Sequence, residues 1–500
     1  LSLNPTADSP VLPPEAAAAS LLRDTLEKLQ FTEQGLLDHM GIIEAPSSRL
    51  RNLPRLLHAT HERTPLNALV RLLLFGEPLL EAEWGLPPDF VMAASACGLL
   101  GREDGALRAS AFLVPHAGLW MASDFHRRLE GGGAFDHVLT VNPTADFLAR
   151  FALRGPVATT LDLCTGCGVQ ALLAARSSGT VLATDLNPRA LAFAAFNAAL
   201  NGVGNLECAA GSGFDAVTGR FDHILCNPPF IVAPAKRYLY RDSGVELDAF
   251  CRDLIRRAPD HLEPGGVFQM ILEWVEVDGE PWRERLAGWV RQSDCDVWVL
   301  RDYGQAPDRY VQMRLRETPY VDEARDHEAF DAWMEYLTRR RVQAIHGGLI
   351  LMRRRSAGHP WFRADDLRPE VAEPFGAWVA SVLANMDFLE EHPDDEAILR
   401  SRLQLLPEVL LTQEHACESG HWRTRSLRLE LPGSGVRPMV VQGDVANFLS
   451  SLGGMASVLS SIDEVARTAD ASRPAVVTEC LGLVRKLLRQ GVLVPAVSTS

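Results

Sequence analysis

The sequence predicts an α/β fold: a mainly parallel sheet covered by helices on both faces, with a smaller module on each side of it. Two observations carry this. From about Val157 onward, short apolar strands alternate with helical stretches, the pattern of a doubly wound sheet. Before and after that region the alternation gives way to helical runs with isolated strands. Five hundred residues exceed what one core holds, and 47% apolar residues are enough to fill two or three. The expected domains are residues 1–130, 140–355 and 365–500.

Residues 1–13, rich in Pro and Ser, read as a loose arm. Helical patterns run through the thirties and again near 65–75. Residues 108–112 and 118–122 then read as strands around a turn, so helices followed by a small hairpin suggest a winged-helix-like N-terminal domain. Gly131-Gly132-Gly133 marks a joint. In the central region, strands are expected at 160–164, 180–184, 206–209, 223–226, 267–272, 297–300 and 342–352. Helices are expected at 169–176 and from Pro188 to Asn201-Gly202. Asn187 and Pro188 suit a helix start, and Gly202 suits a stop. After about residue 365 the pattern is helical, then strand-like at 427–431 and 439–442, helical to Gln490, and strand-like again at 492–494. This reads as an α+β C-terminal module.

Charge and cysteine usage exclude some classes. A net charge of -15 argues against a strongly basic nucleic-acid coat, though not against a local basic groove. Nine scattered cysteines are an odd number in a long chain, not a secreted disulfide framework, and point to a reducing cytoplasm. No stretch reaches the roughly 18 apolar residues of a membrane helix, and no signal peptide is evident. Leu1 stands where Met is expected, which fits trimming or a partial chain.

The chemistry concentrates between Leu161 and Phe230. Asp162-Leu163-Cys164-Thr165-Gly166-Cys167-Gly168 ends a strand and opens a helix. Small residues there let backbone approach a ligand at a helix N-terminus. The spacing is not the dinucleotide fingerprint. Asp185 ends the next strand, where a carboxylate accepts the hydrogens of a ribose. The plain alternative is an ordinary strand-loop-helix. A Cys164/Cys167 metal or redox pair is disfavoured because no second pair accompanies it. The fourteen His residues form no ligand spacing, and no metal is expected.

Asn227-Pro228-Pro229-Phe230 directly follows the strand at 223–226. A planar amino or amide nitrogen is a poor nucleophile because its lone pair is delocalised. The Asn227 side-chain oxygen and the Pro228 carbonyl can each accept one of its hydrogens, turning the lone pair toward an electrophilic methyl. Two prolines stiffen the loop and leave it rich in acceptors, and Phe230 offers a face for a flat group. The alternative is a proline turn closing a strand.

With this motif the sequence resembles the class I S-adenosylmethionine-dependent N-methyltransferases: adenine-N6 enzymes, ribosomal-RNA guanine-N2 enzymes and release-factor glutamine methyltransferases. The resemblance covers roughly residues 140–355. It implies a Rossmann-like seven-stranded sheet with one antiparallel strand, S-adenosylmethionine as methyl donor, and a substrate pocket over 227–230. It implies Asp162 near the methionine end of the cofactor, Cys164, Gly166 and Gly168 in its loop, with Cys164 where Gly is commonest, and Asp185 on the ribose. Ser212 stands where relatives often carry an Asp facing the adenine amine. Phe230 is closer to the nucleic-acid enzymes, which leaves Asn227, Pro228, Pro229 and Phe230 as the catalytic set for either substrate class. The stretch from Tyr240 to Gly244 is closer to the glutamine enzymes.

Lys236, Arg237 and Arg241 follow the loop, interleaved with Tyr238 and Tyr240, and are candidates for substrate contact. Arg339-Arg340-Arg341 and Arg353-Arg354-Arg355 bracket the last strand. They read either as a phosphate-holding rim or, preferably, as solvated ends. Trp274 reads equally as pocket or core. The leading expectation is methylation of an exocyclic amine of a nucleic-acid base, RNA over DNA. The alternative is a glutamine or asparagine amide of a folded partner protein. A third reading is a cofactor-binding scaffold without turnover. Oligomeric state is not readable.

Overall fold

A computed structural model of the chain describes residues 10–41, 53–80, 84–126, 128–129, 134–317, 323–368, 374–467 and 472–496. The expected joint at Gly131-Gly132-Gly133 and most of the expected N-terminal arm lie outside these residues. The chain divides into two compact units, residues 1–149 with 155–365, and residues 150–154 with 366–500.

In the first unit, helices α1 (Ala16–Lys28), α2 (Glu33–Met40), α3 (Leu53–Ala59), α4 (Pro65–Leu69) and α5 (Pro88–Ala96) precede two hairpins. These are β1 (Leu100–Glu103) with β2 (Ala106–Ala109), and β3 (Phe112–His116) with β4 (Leu119–Ser123). The strand expected at 108–112 thus splits, because Ala109 closes one ladder and Phe112 opens the next. After α6 (Pro143–Phe151) come β5 (Val157–Leu163), α7 (Val169–Ala175), β6 (Ser178–Asp185), α8 (Pro188–Leu200), β7 (Leu206–Ala210) and β8 (Phe221–Cys226). Then follow α9 (Ala249–Arg257), β9 (Leu262–Val277), α10 (Trp282–Val290), β10 (Cys295–Gln305), α11 (Pro307–Glu317), α12 (Glu323–Arg339), β11 (Val342–Arg354) and β12 (Phe362–Asp366).

The sheet order is β7-β6-β5-β8-β9-β11-β10-β12. The ladders from β7 through β9 are parallel, and β11 runs antiparallel to both its neighbours. The seven expected strands are present, and β12 extends the edge to eight. Chain order reverses at β5, whose neighbours are β6 and β8. The crevice outside the carboxyl ends of these strands is where an open α/β sheet takes its ligand.

The N-terminal helices and hairpins share one core with this sheet's helices. Leu22, Leu26, Phe31, Phe112 and Met121 pack in one cluster with Leu172, Phe193, Phe196 and Leu200, all at most 1% exposed. The seam is also polar. Asn197 accepts Ala122 N–H at 2.7 Å and donates to Ala122 O at 2.9 Å, while Asn201 accepts Trp120 N–H and donates to Trp120 O. Residues four apart on a helix lie about 6 Å apart, close to the two-residue repeat of a strand. The two asparagines therefore satisfy the edge of β4 as a neighbouring strand would.

The second unit holds α13 (Gly376–Glu391), α14 (Asp395–Arg400), β13 (Leu403–Leu405), β14 (Leu410–Glu418), β15 (His421–Glu430), β16 (Met439–Val441), α15 (Gly443–Ser451), α16 (Val458–Ala466), α17 (Arg473–Arg489) and β17 (Leu493–Pro495). β13 pairs with β17, and β14, β15 and β16 form a three-stranded sheet. The hairpin of β14 and β15 is exposed through nearly all of β14 and the first half of β15, including Trp422 at 74%. Its first strand escaped the sequence reading because neither face is buried, so no alternation marks it. No described helix is long and apolar enough to cross a membrane.

Candidate active site

Three parallel strand ends sit side by side. Leu163 of β5 is in register with Thr184 of β6 and Cys226 of β8. The loops beginning at Cys164, Asp185 and Asn227 therefore open onto one crevice, with the outer two on the order of 10 Å apart, two strand spacings.

Asp162 is 1% exposed and accepts from Thr165 Oγ1 at 2.6 Å and Ala171 N–H at 3.0 Å through Oδ2. Its Oδ1 is buried with no protein donor among the described residues. Burial pushes its pKa up to about 7, against the Thr165 and Ala171 hydrogen bonds, and the Asp185 charge adds to the rise. A buried, unfilled carboxylate oxygen calls for an incoming donor. Cys164, Gly166 and Gly168 all hold positive φ, at 58°, 56° and 88°. That explains why glycine is the ordinary occupant at Cys164: an L-residue there costs about 1–2 kcal/mol. A Cβ on Gly168 would meet Ala194 Cβ at 3.0 Å, so this glycine lets the loop lie against α8.

Asp185 accepts Gly166 N–H at 2.9 Å through Oδ2 and Asn187 N–H at 2.8 Å through Oδ1. It thus ties the first loop to its own strand end and keeps further lone pairs for a diol. Desolvation raises its pKa. Gly211 N–H donates to Asp185 O at 3.0 Å, bringing the end of β7, and half-buried Ser212 with it, beside this carboxylate. The Ser212 side chain caps nothing. Burial pushes the Cys167 thiol up to about 12, unlike a reactive redox cysteine. No described group of three His, Cys, Asp or Glu side chains has the arrangement of a metal site.

Asn227 and Phe230 are half-buried, and Pro228 is buried between them. The Asn227 amide has no protein hydrogen bond among the described residues, so its oxygen is available to a ligand. Phe230 packs against the apolar clusters on both sides of β9. Ile231 N–H donates to Arg241 O, and buried Asp242 accepts from Arg237 N–H and Tyr238 N–H, folding residues 231–242 back on themselves.

The basic candidates separate. Lys236 is exposed, its Nζ 6.0 Å from the Phe135 ring, and Arg237 is exposed. Arg241 pairs with Asp242 at 2.9 Å and lies over the Tyr238 ring. All six clustered arginines face carboxylates. Arg339 pairs with Glu335, Arg340 with Glu246 and Arg341 with Asp278. Arg353 and Arg355 pair with Asp296, and Arg354 with Asp294. Because β11 is antiparallel, the first cluster lies at the sheet's carboxyl edge and the second at its amino edge, about 40 Å along the strand. They form no common rim. Trp274 is fully buried in β9, in the core.

The sequence reading missed Thr165, whose position three residues after Asp162 is the available signal, and Asp124. Asp124 is 2% exposed, bonds Arg189 and Arg128, and accepts Val138 N–H, fixing the segment before the sheet against the start of α8. Nothing in sequence links residues 65 apart.

The chain is similar in sequence to known methyltransferases. The methyltransferase small domain family matches residues 140–276. The release factor glutamine methyltransferase of Cereibacter sphaeroides is 40% identical over 193 residues, covering 35% of this chain and 66% of that protein. The ribosomal protein uL3 glutamine methyltransferase of Bradyrhizobium diazoefficiens is 31% identical over 205 residues, covering 38% and 59%. The solved structure of the YcgJ protein from Bacillus subtilis aligns at 13% identity over 43% of this chain and 98% of that one, with a TM-score of 0.29. The chain spans less than two thirds of the length of these two curated relatives.

Proposed function

Because the chain belongs to the class I S-adenosylmethionine-dependent methyltransferases, we propose that it methylates the side-chain amide nitrogen of a glutamine in a protein substrate. The observation carrying this is the free Asn227 amide at the end of β8, one strand from the Asp162 loop. In this reading Asp162 holds the amino group of S-adenosylmethionine, Cys164, Gly166 and Gly168 line its path, Asp185 takes the ribose, and Ser212 lies toward the adenine. Asn227 and the Pro228 carbonyl hold the two amide hydrogens, Pro229 stiffens the turn, and Phe230 packs against the substrate side chain. The methyl moves in line from sulfur to nitrogen, and the proton leaves afterward.

The preference for a nucleic-acid base is revised. It rested on Phe230 and on the arginine clusters, and the clusters are paired with carboxylates and lie at opposite sheet edges. The names of the relatives, glutamine methyltransferases of a release factor and of a ribosomal protein, favour a protein acceptor. Lys236 and Arg237 remain exposed for contact with it.

Transfer of labelled methyl from S-adenosylmethionine into extract of cells lacking the gene tests the reading. Protease-sensitive label, yielding methylglutamine on enzymatic digestion and methylamine on acid hydrolysis, and lost with Asn227→Ala, is the expected result. RNase-sensitive label would restore the nucleic-acid substrate.

A further inference from the structure

Beneath the 227–230 loop lies a buried polar cluster that this chemistry does not use. Glu273 of β9 is 1% exposed, Tyr310 of α11 is fully buried, and Arg314, one turn further on, is 8% exposed. Arg314 Nη2 and Tyr303 Oη donate to Glu273 Oε1, and Tyr310 Oη donates to Glu273 Oε2 at 2.5 Å. Burial, with the Glu273 charge adding to it, raises both phenol pKa values, so both remain donors. A buried ion pair is costly to assemble and weak evidence for stability in itself. It connects toward the crevice through Tyr310 Oη, which accepts Val232 N–H at 3.0 Å. Val232 is fully buried two residues after Phe230, and its N–H lies outside any strand ladder. Because the Tyr310 proton is committed to Glu273, its lone pairs face the loop. A second tyrosine acts at the far end of the segment, where Tyr336 Oη of α12 accepts Leu247 N–H at 2.9 Å.

We propose that Tyr310 is a positioning residue for methyl transfer: its hydroxyl, oriented by the Glu273–Arg314 pair, fixes the backbone after Phe230 and so the pose of the Asn227 amide. The proposal rests on the 227–230 loop being the one that holds the methyl-accepting nitrogen. Misplacement by about an ångström costs on the order of a hundredfold in rate, so a lost anchor should appear in turnover and not in cofactor binding.

The test compares Tyr310→Phe with Tyr303→Phe. Both delete a hydroxyl from Glu273, but only Tyr310 touches the loop. Initial rates of methyl incorporation into the deficient extract are measured against S-adenosylmethionine concentration. Tyr310→Phe is expected to lower the maximal rate about 10- to 100-fold with the S-adenosylmethionine KM within about twofold of wild type. Tyr303→Phe should stay within about threefold in both. Equal losses from the two variants, or a wild-type rate for Tyr310→Phe, would overturn the proposal. Asn227→Ala separates the premises. If it abolishes turnover while Tyr310→Phe does not, only the anchor fails; if it retains turnover, the loop assignment fails and the anchor with it. Should Tyr310→Phe not fold, amide exchange of the wild-type chain decides: a protected Val232 N–H supports the anchor, and an unprotected one overturns it.

Discussion

Asp162 carries an open valence in a closed place, and this gives it a pH signature. Its pKa in the folded chain is about 7, against an ordinary value of 3.8, chiefly because burial penalises the charge. Between those values the folded chain holds a proton that the unfolded chain has released. Its contribution to stability is full below about pH 3.8 and lost as pH rises through about 7. A cationic amino group at Oδ1 reverses the preference, since it needs the carboxylate. The affinity for S-adenosylmethionine should therefore rise about tenfold per pH unit below 7 and level off above it, and Asp162→Asn should flatten the profile. Calorimetric titrations from pH 5.5 to 8 decide this, and a flat wild-type profile would remove Asp162 from the amino group. Cys164 supplies a second residue-scale expectation. Relief of its positive φ, less the unfolded-state entropy of glycine, should make Cys164→Gly about 0.5–1 kcal/mol more stable, with cofactor affinity unchanged. A lower melting temperature would refute this. These positions were legible because strand, loop and helix are contiguous, so spacing along the chain maps directly onto the crevice. Glu273, Tyr310 and Arg314 were not, because they lie 37 and 41 residues apart and only the sheet brings them together.

At the scale of elements, the informative junction is α8 against β4. Asn197 is fully buried and bonds both Ala122 backbone groups and, through its amide nitrogen, Cys167 O at 2.8 Å. Replacing it with Ala strands one buried N–H and two carbonyls, a cost of about 3 kcal/mol or more when each unmet group costs about 1–3. Asn201 is half-buried and bonds Trp120, so water can substitute in part and Asn201→Ala should cost about 1 kcal/mol. Denaturant midpoints at constant slope measure both; equal losses would contradict the role assigned to burial. Because the Cys167 carbonyl belongs to the 164–168 loop proposed to hold the cofactor, Asn197→Ala should also weaken S-adenosylmethionine binding, and Asn201→Ala should not. In sequence this helix is marked by its start at Asn187-Pro188 and its stop at Asn201-Gly202, and nothing assigns Asn197 or Asn201 a bond to β4. Periodicity reports which face of a helix is apolar, and a polar pair meeting a strand edge leaves no mark in it.

For the first unit as a whole, the sheet depends on what precedes it. A glycine run at 131–133 and an expected domain start at residue 140 suggest that the 140–355 region could stand alone. The packing argues otherwise. Leu172, Phe193, Phe196 and Leu200, on α7 and α8, are buried in one cluster with Leu22, Leu26, Phe31 and Phe112. Arg23 Nη1 also donates to Leu200 O at 2.8 Å. Removing residues 1–139 would expose those four side chains, each worth about 1.5–3 kcal/mol on burial, and would strip the partners from Asn197 and Arg189. Against a typical margin of about 5–15 kcal/mol, the loss is of the same size as the stability itself. A chain beginning at residue 140 should therefore be insoluble, or compact with exposed apolar surface that binds ANS, and should not take up S-adenosylmethionine. A truncated chain that is monomeric and binds S-adenosylmethionine within threefold of the full chain would show that the shared core is dispensable. The N-terminal helices would then be a substrate-docking module laid on an independent catalytic domain, and not the far wall of that domain's own core.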